Sequence, residues 1–427
     1  MYQGLGEKEL AERTARARER LGELGVTFTV AGEEGDLERI LPVDWVPRII
    51  AADEWRTLSE GLLQRGKALN AWLRGVYGPG QDLVPEEIVR SSIFHRPHEL
   101  PGPSAPIHIY GPDVVHLASG EYVVLEDNVR VPSGAAYSEV IRRAAVETMP
   151  EVYGAYRAME IYSYYDRLSQ TLELAAPEGV EDPRVVVITR GGRDPAFFEH
   201  NRIAQACGLT LMTLADCAVS EGMVYERESG RKIDVIYRRF DEDYFDTDLP
   251  ELERVYLEGK VALVNAPGVG VADDKAVFPY VPAMIETYLG ESPILRNAPT
   301  YALTEEETRA EVLERLPEMV VKPREGYGGQ GVLVGPEAQS EDIDATRRRI
   351  SKDPTQFVAQ ETLDFSTHLL RNGKDSPTEV FVDLRAFVLP AIDYLMPGGL
   401  TRVAQPGTRV VNSTAGGSSK DTLVLAD

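Results

Sequence analysis

Cysteine and histidine are scarce in this chain of 427 residues. Its two cysteines, Cys207 and Cys217, are too few for a disulfide framework or a four-thiolate zinc site. The six histidines never occur in the HExxH spacing that binds zinc in metalloproteases. We expect both thiols to be buried and inert, and we find no Ser/His or Cys/His signature of covalent catalysis.

Long apolar runs are also missing. No window approaches the ~18 apolar residues of a membrane span, and the charged N-terminus lacks the apolar core of a signal peptide. The formal net charge of −24, from 69 acidic and 45 basic residues, repels nucleic-acid backbones and anionic membranes. These features predict a cytoplasmic protein that binds neither nucleic acid nor membranes. An anionic ligand would need locally clustered cations.

The pattern of apolar residues predicts a mixed α/β chain. Amphipathic patterns predict helices over 5–24 and about 53–76, and residues 138–176 are helical again. IHIYG and EYVVLEDN are typical of strands. From Pro183 a strand, a helix and a strand follow one another and predict a small α/β lobe. Strands and helices alternate again to the end of the chain.

The segment VVKPREGYGGQGVLV is the strongest local signal for ligand binding. A buried strand ends near Lys322, and a loop containing Gly328 and Gly329 leads into the next strand. Glycines let backbone N–H groups approach phosphate oxygens, and the lysine adds a positive charge. The segment matches neither the P-loop nor the Rossmann spacing. The alternative is a glycine-rich hairpin turn with a surface lysine.

The segment EYVVLEDN predicts a magnesium site. Alternation along a strand places Glu126 and Asn128 on one face, with Asp127 on the other. Carboxylate and amide oxygens suit Mg²⁺, which shares its remaining positions with phosphate and water. Asp113 on the preceding segment would complete this set. The alternative is an exposed edge strand with solvated carboxylates.

Weaker signals lie elsewhere along the chain. Lys275 follows two acidic residues at the start of a predicted helix, where a cation is mildly unfavourable. Arg238 and Arg239 point to opposite faces of a strand end and would grip an anion or pair with nearby acids. For Glu199 and His200 an acid/base role competes with a structural histidine at a helix start, which we favour.

Taken in order, these segments resemble the circularly permuted ATP-grasp proteins related to glutathionylspermidine synthetase. The resemblance covers about 42–425 and includes DVIYRRFDED, ALVNAPGVGVADDKAVFPYVP, VVKPREGYGGQGVLVG, VDLRAFV and NSTAGGSSKDTLVL. Ordinary ATP-grasp enzymes carry the nucleotide lysines first and the metal strand last. Here the acidic strand precedes Lys275 and Lys322, which fits a permuted fold.

The resemblance implies an α/β fold with a helical N-terminal region and a small α/β lobe. It also implies binding of ATP and Mg²⁺, with a role for each of several residues. The implied roles are ATP phosphate binding by Lys275 and Lys322, a loop over the phosphates at Gly328 and Gly329, an adenine and ribose pocket at Gln360 and Glu361, Mg²⁺ binding by Asp113, Glu126 and Asn128, stabilisation of the transferred phosphoryl group by Arg130 and Arg402, and substrate binding by Ser133, Glu199, His200, Arg238 and Arg239.

On this resemblance we divide the chain into four parts. They are a helical region at 1–100, the metal-strand part at 101–182, the α/β substrate lobe at 183–260 and the nucleotide-binding part at 261–427.

The implied activity is that of a carboxylate–amine ligase, which activates a carboxylate as an acyl phosphate and forms an amide or peptide bond. The substrates would be small molecules or peptides, and the family suggests a helical partner protein. An amidase domain found in some glutathionylspermidine synthetases has no counterpart here, so amide hydrolysis is not implied. Two alternatives stay open. One is a nucleotide-binding pseudoenzyme that acts in an assembly, and the other is an ATP-dependent phosphotransferase.

Overall fold

The architecture was analysed in a computed structural model of the full chain. The structure describes residues 7–29, 38–96, 105–241, 249–326, 331–370, 378–411 and 417–427.

Helices and strands are interspersed along the described part of the chain. The α-helices of the described ranges, α1 to α11 in chain order, are Glu7–Glu23, Ala52–Val76, Glu86–Arg90, Ala135–Thr148, Pro150–Gly154, Tyr164–Leu174, Phe197–Ala206, Glu251–Leu257, Val281–Met284, Glu306–Glu314 and Ser340–Lys352. The helices predicted over 5–24 and 53–76 are confirmed as α1 and α2.

Helix α2 shows why the apolar spacing produces a packed helix. Trp55, Leu58, Leu62, Leu69 and Trp72 recur at helical spacing and are all buried in one core. Burial of each such side chain contributes about 1.5–3 kcal/mol relative to exposure. The helix is therefore held by tertiary packing of this face more than by its intrinsic propensity.

A large mixed sheet forms the centre of the molecule. Its strands in spatial order are β13 (Arg296–Asn297), β5 (Tyr122–Glu126), β4 (Asp113–His116), β19 (Thr378–Arg385), β22 (Leu400–Val403), β23 (Ser418–Val424) and β3 (Val43–Ile50), with β18 (Thr367–Leu370) paired to β19. The pairs β13–β5 and β23–β3 are parallel, and the other pairs are antiparallel. The sheet thus joins segments that lie far apart in the sequence.

A parallel sheet forms the α/β lobe. Its strands in spatial order are β12 (Ala262–Val264), β11 (Val235–Arg239), β6 (Val185–Thr189) and β7 (Thr210–Met212). Helix α7 connects β6 to β7, as the sequence predicts. Every residue of β6 and of β11 is buried, as expected for parallel strands covered on both faces.

An antiparallel sheet with its own small core carries the segment predicted to bind nucleotide. Its strands in spatial order are β14 (Thr300–Ala302), β17 (Phe357–Glu361), β15 (Met319–Pro323) and β16 (Leu333–Val334). Helices α10 and α11 pack beside it through Val312 and Ile350. Three smaller sheets consist of β1 (Thr27–Thr29) with β2 (Glu38–Ile40), β8 (Cys217–Ser220) with β9 (Met223–Glu226) and β10 (Lys232–Ile233), and β20 (Val388–Leu389) with β21 (Tyr394–Leu395).

Two local predictions were wrong. IHIYG forms no regular strand. Tyr110 makes an isolated backbone bridge to Val388 of β20, and the backbone before it bonds to side chains. Asn70 binds both backbone groups of Ile107, and the Oδ1 of Asn265 accepts from His108 N and Ile109 N. Lys275 does not begin a helix; it lies in a turn between the 3₁₀ helices Val269–Ala272 and Phe278–Tyr280.

The division of the chain at 101, 183 and 261 stays a prediction. The large sheet takes its strands from the first, second and fourth of these parts. No helix in the described part of the chain is long and apolar enough to cross a bilayer.

A buried ion pair joins α2 to the large sheet, and its loss should destabilise the fold. Arg65 donates to Asp127 through Nε at 2.6 Å and Nη2 at 2.7 Å, with both side chains 1% exposed. Arg65→Met would leave Asp127 buried without this partner, so we expect a loss of about 3–5 kcal/mol in the free energy of unfolding, measured with urea.

Arg56 on the same helix provides the matched control. Its pair with Asp427 is 3.3 Å long and solvent-exposed, so Arg56→Met should change stability by less than about 1 kcal/mol. Equal losses in the two variants would show that the buried pair does not stabilise α2 on the sheet.

Candidate functional site

A cavity of about 680 Å³ lies between the large sheet, the antiparallel sheet and the α/β lobe. Its walls include Asp113, Glu126 and Arg402 from the large-sheet side and Lys322 from the antiparallel sheet, while the lobe contributes Arg239. Charged groups from distant parts of the chain therefore face one space. Its size lies within the usual range for small-molecule sites.

The two lysines singled out from the sequence come together at this cavity. Lys322 lies near the end of β15, and its Nζ donates to Gln360 Oε1 at 2.8 Å. Lys275 Nζ donates to the carbonyl of Gly326 at 2.8 Å and lies 3.7 Å from Glu126 Oε2. Burial lowers the pKa of Lys322, and the charge of Glu126 opposes this shift. The arrangement offers two ammonium groups to an anionic ligand.

Asp113 is held by two arginines. Arg385 donates to its two carboxylate oxygens at 2.7 Å each, and Arg402 Nη2 lies 2.8 Å from Oδ2. Arg402 also forms a two-point contact with Asp383 on β19. Burial alone would raise the pKa of Asp113, but the charges of Arg385 and Arg402 outweigh it and hold that pKa well below its usual range. Asp113 is thus ionised at neutral pH.

Both arginines keep one nitrogen for a ligand. Nε and Nη2 of Arg385 and of Arg402 bind carboxylates of the protein. Among the described residues, neither Nη1 has a hydrogen-bonding partner, and both residues line the cavity. Each guanidinium is thus oriented by one edge and can donate from the other.

Glu126 and Asn128 have the chemistry that a magnesium site requires. The carboxylate of Glu126 faces the cavity, with the nearest described cation atoms 3.7 and 4.0 Å away. The Nδ2 of Asn128 donates to Gly111 O at 3.1 Å and lies 3.4 Å from Asp113 Oδ2, which leaves its amide oxygen for a ligand. These hard oxygen donors fit Mg²⁺.

Binding of Mg²⁺ by Asp113, Glu126 and Asn128 stays a prediction. Both oxygens of Asp113 accept from arginines, so Asp113 also orients Arg385 and Arg402. No group of three His, Cys, Asp or Glu side chains in the described ranges is arranged to hold a metal. An Mg²⁺ ion at Asp113, Glu126 and Asn128 would take its other ligands from phosphates and water.

Gln360 and Glu361 end strand β17 at the cavity wall. Gln360 is buried and binds Thr300 Oγ1 at 2.8 Å as well as Lys322. Glu361 accepts from Tyr301 at 3.0 Å and from Arg315 at 2.8 Å. Gln360 therefore orients Lys322, which the sequence did not indicate.

Arg130 lines the same cavity beyond the end of β5. Its Nε donates to Asp273 at 2.8 Å, and its Nη1 lies 3.2 Å from Asp241. The guanidinium lies 4.0 Å from the centre of the Phe94 ring. These three contacts fix Arg130 at the opening between the large sheet and the lobe.

Ser133, Glu199 and Arg239 form one connected group on the lobe side. Arg239 Nη2 donates to Ser133 Oγ at 2.5 Å and to Glu199 Oε2 at 3.3 Å. The other oxygen of Glu199 accepts from Gly134 N at 2.8 Å and Ala136 N at 3.1 Å, so it caps the N-terminus of α4. Glu199 is thereby committed to contacts within the protein.

Arg238 and His200 have partners within the lobe. Arg238 is buried and donates to the carbonyls of Asn265, Ala266 and Phe240. His200 Nδ1 lies 2.8 Å from Thr189 Oγ1. Burial lowers the pKa of His200 to about 2, with a further contribution from the charges of Arg239 and Arg190. At neutral pH this histidine is uncharged.

Some predicted features lie outside the described residues or away from the cavity. Gly328 and Gly329 fall in 327–330, which the structure does not describe. Cys217 is buried and Cys207 half-buried, and neither lines the cavity. Burial raises the pKa of Cys207 to about 11 and of Cys217 to about 12.

Asp383, Arg385 and Asp273 belong to the site, although they were not among the residues predicted to act in it. Asp383 and Arg385 share one face of β19 with period-two spacing in DLRAFV, which was a weak signal in the sequence. Asp273, the partner of Arg130, directly precedes Asp274 and Lys275. No local pattern marked it as a partner of a residue on another segment.

A family comparison decides the identity of this fold. Residues 47–404 match the model of the family described as circularly permuted ATP-grasp type 2. The chain belongs to this family. Its α/β architecture is therefore a circularly permuted ATP-grasp fold, as the resemblance implied. The permuted order explains how the acidic strands β4 and β5 precede both cavity lysines and still meet them in space.

The chain is similar to bacterial proteins and to a solved structure over nearly all of its own length. An uncharacterized protein of Synechocystis sp. is 43% identical over 97% of this chain and 91% of its own length. A putative glutamate–cysteine ligase of Frankia alni is 39% identical over 98% of this chain, but only 51% of its own length is matched. A glutathione synthetase-like effector from Globodera pallida has the same fold, with a TM-score of 0.60, 10% identity and 98% of each chain covered.

The buried His200 should make stability depend on pH. The unfolded chain binds a proton at this histidine below pH 6.5, whereas the native state binds it only near pH 2. Native stability therefore falls as the pH drops below 6.5, by about 1.4 kcal/mol at pH 5.5 from this one group. His200→Asn removes the titrating group, so its loss of unfolding free energy between pH 7.5 and 5.5 should be smaller by that amount.

Urea unfolding at the two pH values measures the difference directly. The buried His108 and the half-buried His368, whose pKa values are lowered by burial to about 4 and about 3, contribute equally to both proteins and cancel. An identical pH dependence in the wild type and His200→Asn would contradict the assignment of a neutral, buried His200.

Proposed function

We propose that this ATP-grasp protein is an ATP- and Mg²⁺-dependent ligase that activates a carboxylate as an acyl phosphate and joins it to an amine. The proposal rests on the observation that lysines and arginines from different segments line the same cavity. Lys275 and Lys322 are suited to hold nucleotide phosphates, and the open Nη1 groups of Arg385 and Arg402 lie on the facing sheet.

The nucleotide would lie between the antiparallel and large sheets. Lys275 and Lys322 would bind its phosphates, and the end of β17 at Gln360 and Glu361 would face its adenine and ribose. When bound at Asp113, Glu126 and Asn128, Mg²⁺ would neutralise phosphate charge and orient the terminal phosphate. The lysines add fixed charges to the same phosphates.

The chemistry follows in two steps. A carboxylate oxygen of the first substrate attacks the γ-phosphorus, and the bond to the bridging oxygen of ADP breaks, which yields an acyl phosphate and ADP. The amine nitrogen of the second substrate then attacks the acyl carbon. Phosphate leaves, the nitrogen loses a proton, and an amide forms. Arg385, Arg402 and Arg130 would donate to the oxygens on which charge develops.

The substrates are proposed as small molecules or peptides that carry a carboxylate and an amine. The printed name of the Frankia relative is that of a ligase with such substrates, which supports the reaction type. Glutamate and cysteine are not carried over, because this chain spans about half of that protein. A helical partner protein and a cytoplasmic location stay predictions.

Binding of nucleotide with metal should raise the melting temperature. A ligand that binds only the native state stabilises it by mass action, by about 2.7 kcal/mol at a hundred times its Kd. We expect a rise in Tm that needs both ATP and Mg²⁺ and is lost in Glu126→Ala.

Glu121→Ala is the matched control for this experiment. Glu121 directly precedes β5, is exposed, and pairs with Arg296 away from the cavity, so this variant should keep the full rise in Tm. Absence of a rise in the wild type at millimolar MgATP would contradict the proposed function.

Turnover separates a ligase from a phosphotransferase. Amino acids, short peptides and polyamines would be screened in pairs for ADP release, and the products identified by mass spectrometry. An amide with free phosphate supports the ligase, and a stable phosphorylated substrate would contradict it. Arg402→Met should lower kcat about 10²-fold, because one donor to the developing charge is lost. A kcat unchanged in Arg402→Met would remove this residue from the mechanism.

A further inference from the structure

We infer that the buried ion pair between Arg324 and Asp274 has a positioning role. It holds the segment that carries Lys275 in place relative to strand β15, which carries Lys322. This inference rests on the proposed function, because it assigns the lysines to nucleotide phosphates. Asp274 directly precedes Lys275, and Arg324 follows Lys322 by two residues. One ion pair thus joins the two segments that carry the lysines.

The pair is closed to solvent and strongly bonded. Arg324 donates to Asp274 through Nε at 2.7 Å and through Nη2 at 2.8 Å. The Arg324 side chain is 4% exposed and that of Asp274 is fully buried. Two parallel bonds of this kind fix the relative orientation of two segments more narrowly than a single contact does.

Arg324 also anchors this pair to the surrounding scaffold. Its Nη2 donates to the Ile88 carbonyl at 2.7 Å, in helix α3, and its Nη1 donates to Ser91 Oγ at 3.0 Å and the Thr355 carbonyl at 3.3 Å. A guanidinium has five N–H donors, and these contacts use all of them.

Full use of its donors distinguishes Arg324 from the phosphate-binding arginines. Arg324 lines the cavity, yet it can bind a phosphate only by giving up an existing bond. Arg385 and Arg402 each keep Nη1 for a ligand, as described above. Arg324 therefore acts on a ligand indirectly, by positioning neighbouring residues.

Contacts with backbone carbonyls next to the ion pair hold Lys275 in place. The Arg324 carbonyl lies 3.5 Å from Lys275 N, and the Gly326 carbonyl accepts from Lys275 Nζ at 2.8 Å. On the other side, Lys322 Nζ is directed by Gln360. Without the ion pair, the turn that contains Lys275 could move relative to β15. Lys322 would still be held by its hydrogen bond to Gln360.

The test measures Kd for MgATP by titration calorimetry in a double-mutant cycle of Arg324→Met and Lys275→Met. Arg324→Met should weaken binding about tenfold. Lys275→Met should weaken binding strongly in the wild-type background and much less in the Arg324→Met background, because a displaced lysine has little contact left to lose. Additive effects of the two substitutions would overturn the positioning role.

Arg142→Met separates positioning from a general loss of stability. Arg142 forms an equally buried pair with Asp421 and does not line the cavity. This variant should lose unfolding stability to a similar extent yet keep Kd within about twofold of the wild type. A weakening of Kd equal to that of Arg324→Met would mean that destabilisation alone explains the effect, and would overturn the inference.

A second variant covers the case in which Arg324→Met does not fold. In the double variant Arg324→Met with Asp274→Asn, no unpaired carboxylate charge is left buried at position 274. The amide oxygen of the asparagine can still accept the hydrogen bond from Ala276 N. The same cycle with Lys275→Met is then measured in this background, with the same expected result. Failure of the wild type to bind MgATP would overturn the proposed function and this inference together, whereas binding with an additive cycle would overturn the inference alone.

Discussion

The carboxylate of Asp113 is the group on which the centre of the large sheet depends. An ionised carboxylate that is almost fully buried costs several kcal/mol unless cations and hydrogen bonds compensate it. Arg385 and Arg402 provide that compensation from the two neighbouring strands β19 and β22. The same contacts fix the rotamers of both arginines, so their remaining donors face the cavity. Stability of the sheet and orientation of the site therefore rest on one network.

The distribution of charge explains how so acidic a chain can accept an anionic ligand. The formal net charge is −24, yet the cavity gathers lysines and arginines from three sheets and their connections. Arg130, Arg239, Arg324, Arg385 and Arg402 at this cavity are each paired with a carboxylate of the protein, which limits repulsion among the cations. Cations that are fixed in the cavity and partly neutralised by neighbouring carboxylates can stabilise phosphate charge. This local effect does not depend on the overall charge of the chain.

The lobe shows a different use of charged residues. Glu199 caps helix α4 and Arg238 binds backbone carbonyls, so both act in holding the lobe together. Ser133, Arg239 and His200 line the cavity as well. The cavity wall on this side is thus built on side chains whose orientations the protein has already set by internal bonds, which lowers the cost of ordering them around a ligand.

The sequence by itself determined the elements and the local groupings of this protein. Period-two alternation on β19 places Asp383 and Arg385 on one face, helical spacing identifies the buried side of α2, and the ordered motifs identified the permuted ATP-grasp fold. The alternation and the helical spacing depend on residues a few positions apart, whereas the fold was identified from a family resemblance over most of the chain.

Tertiary structure alone decided which groups meet. The pairs Asp113–Arg402 and Asp274–Arg324 join segments with no common local pattern. The segment IHIYG was misread as a strand because the side chains of Asn70 and Asn265, distant in sequence, bond its backbone at Ile107, His108 and Ile109. Its pairing with a strand is thereby reduced to the isolated bridge at Tyr110. Such partners are selected by the packing of the whole chain, since a buried polar group must find a partner wherever the fold brings one close.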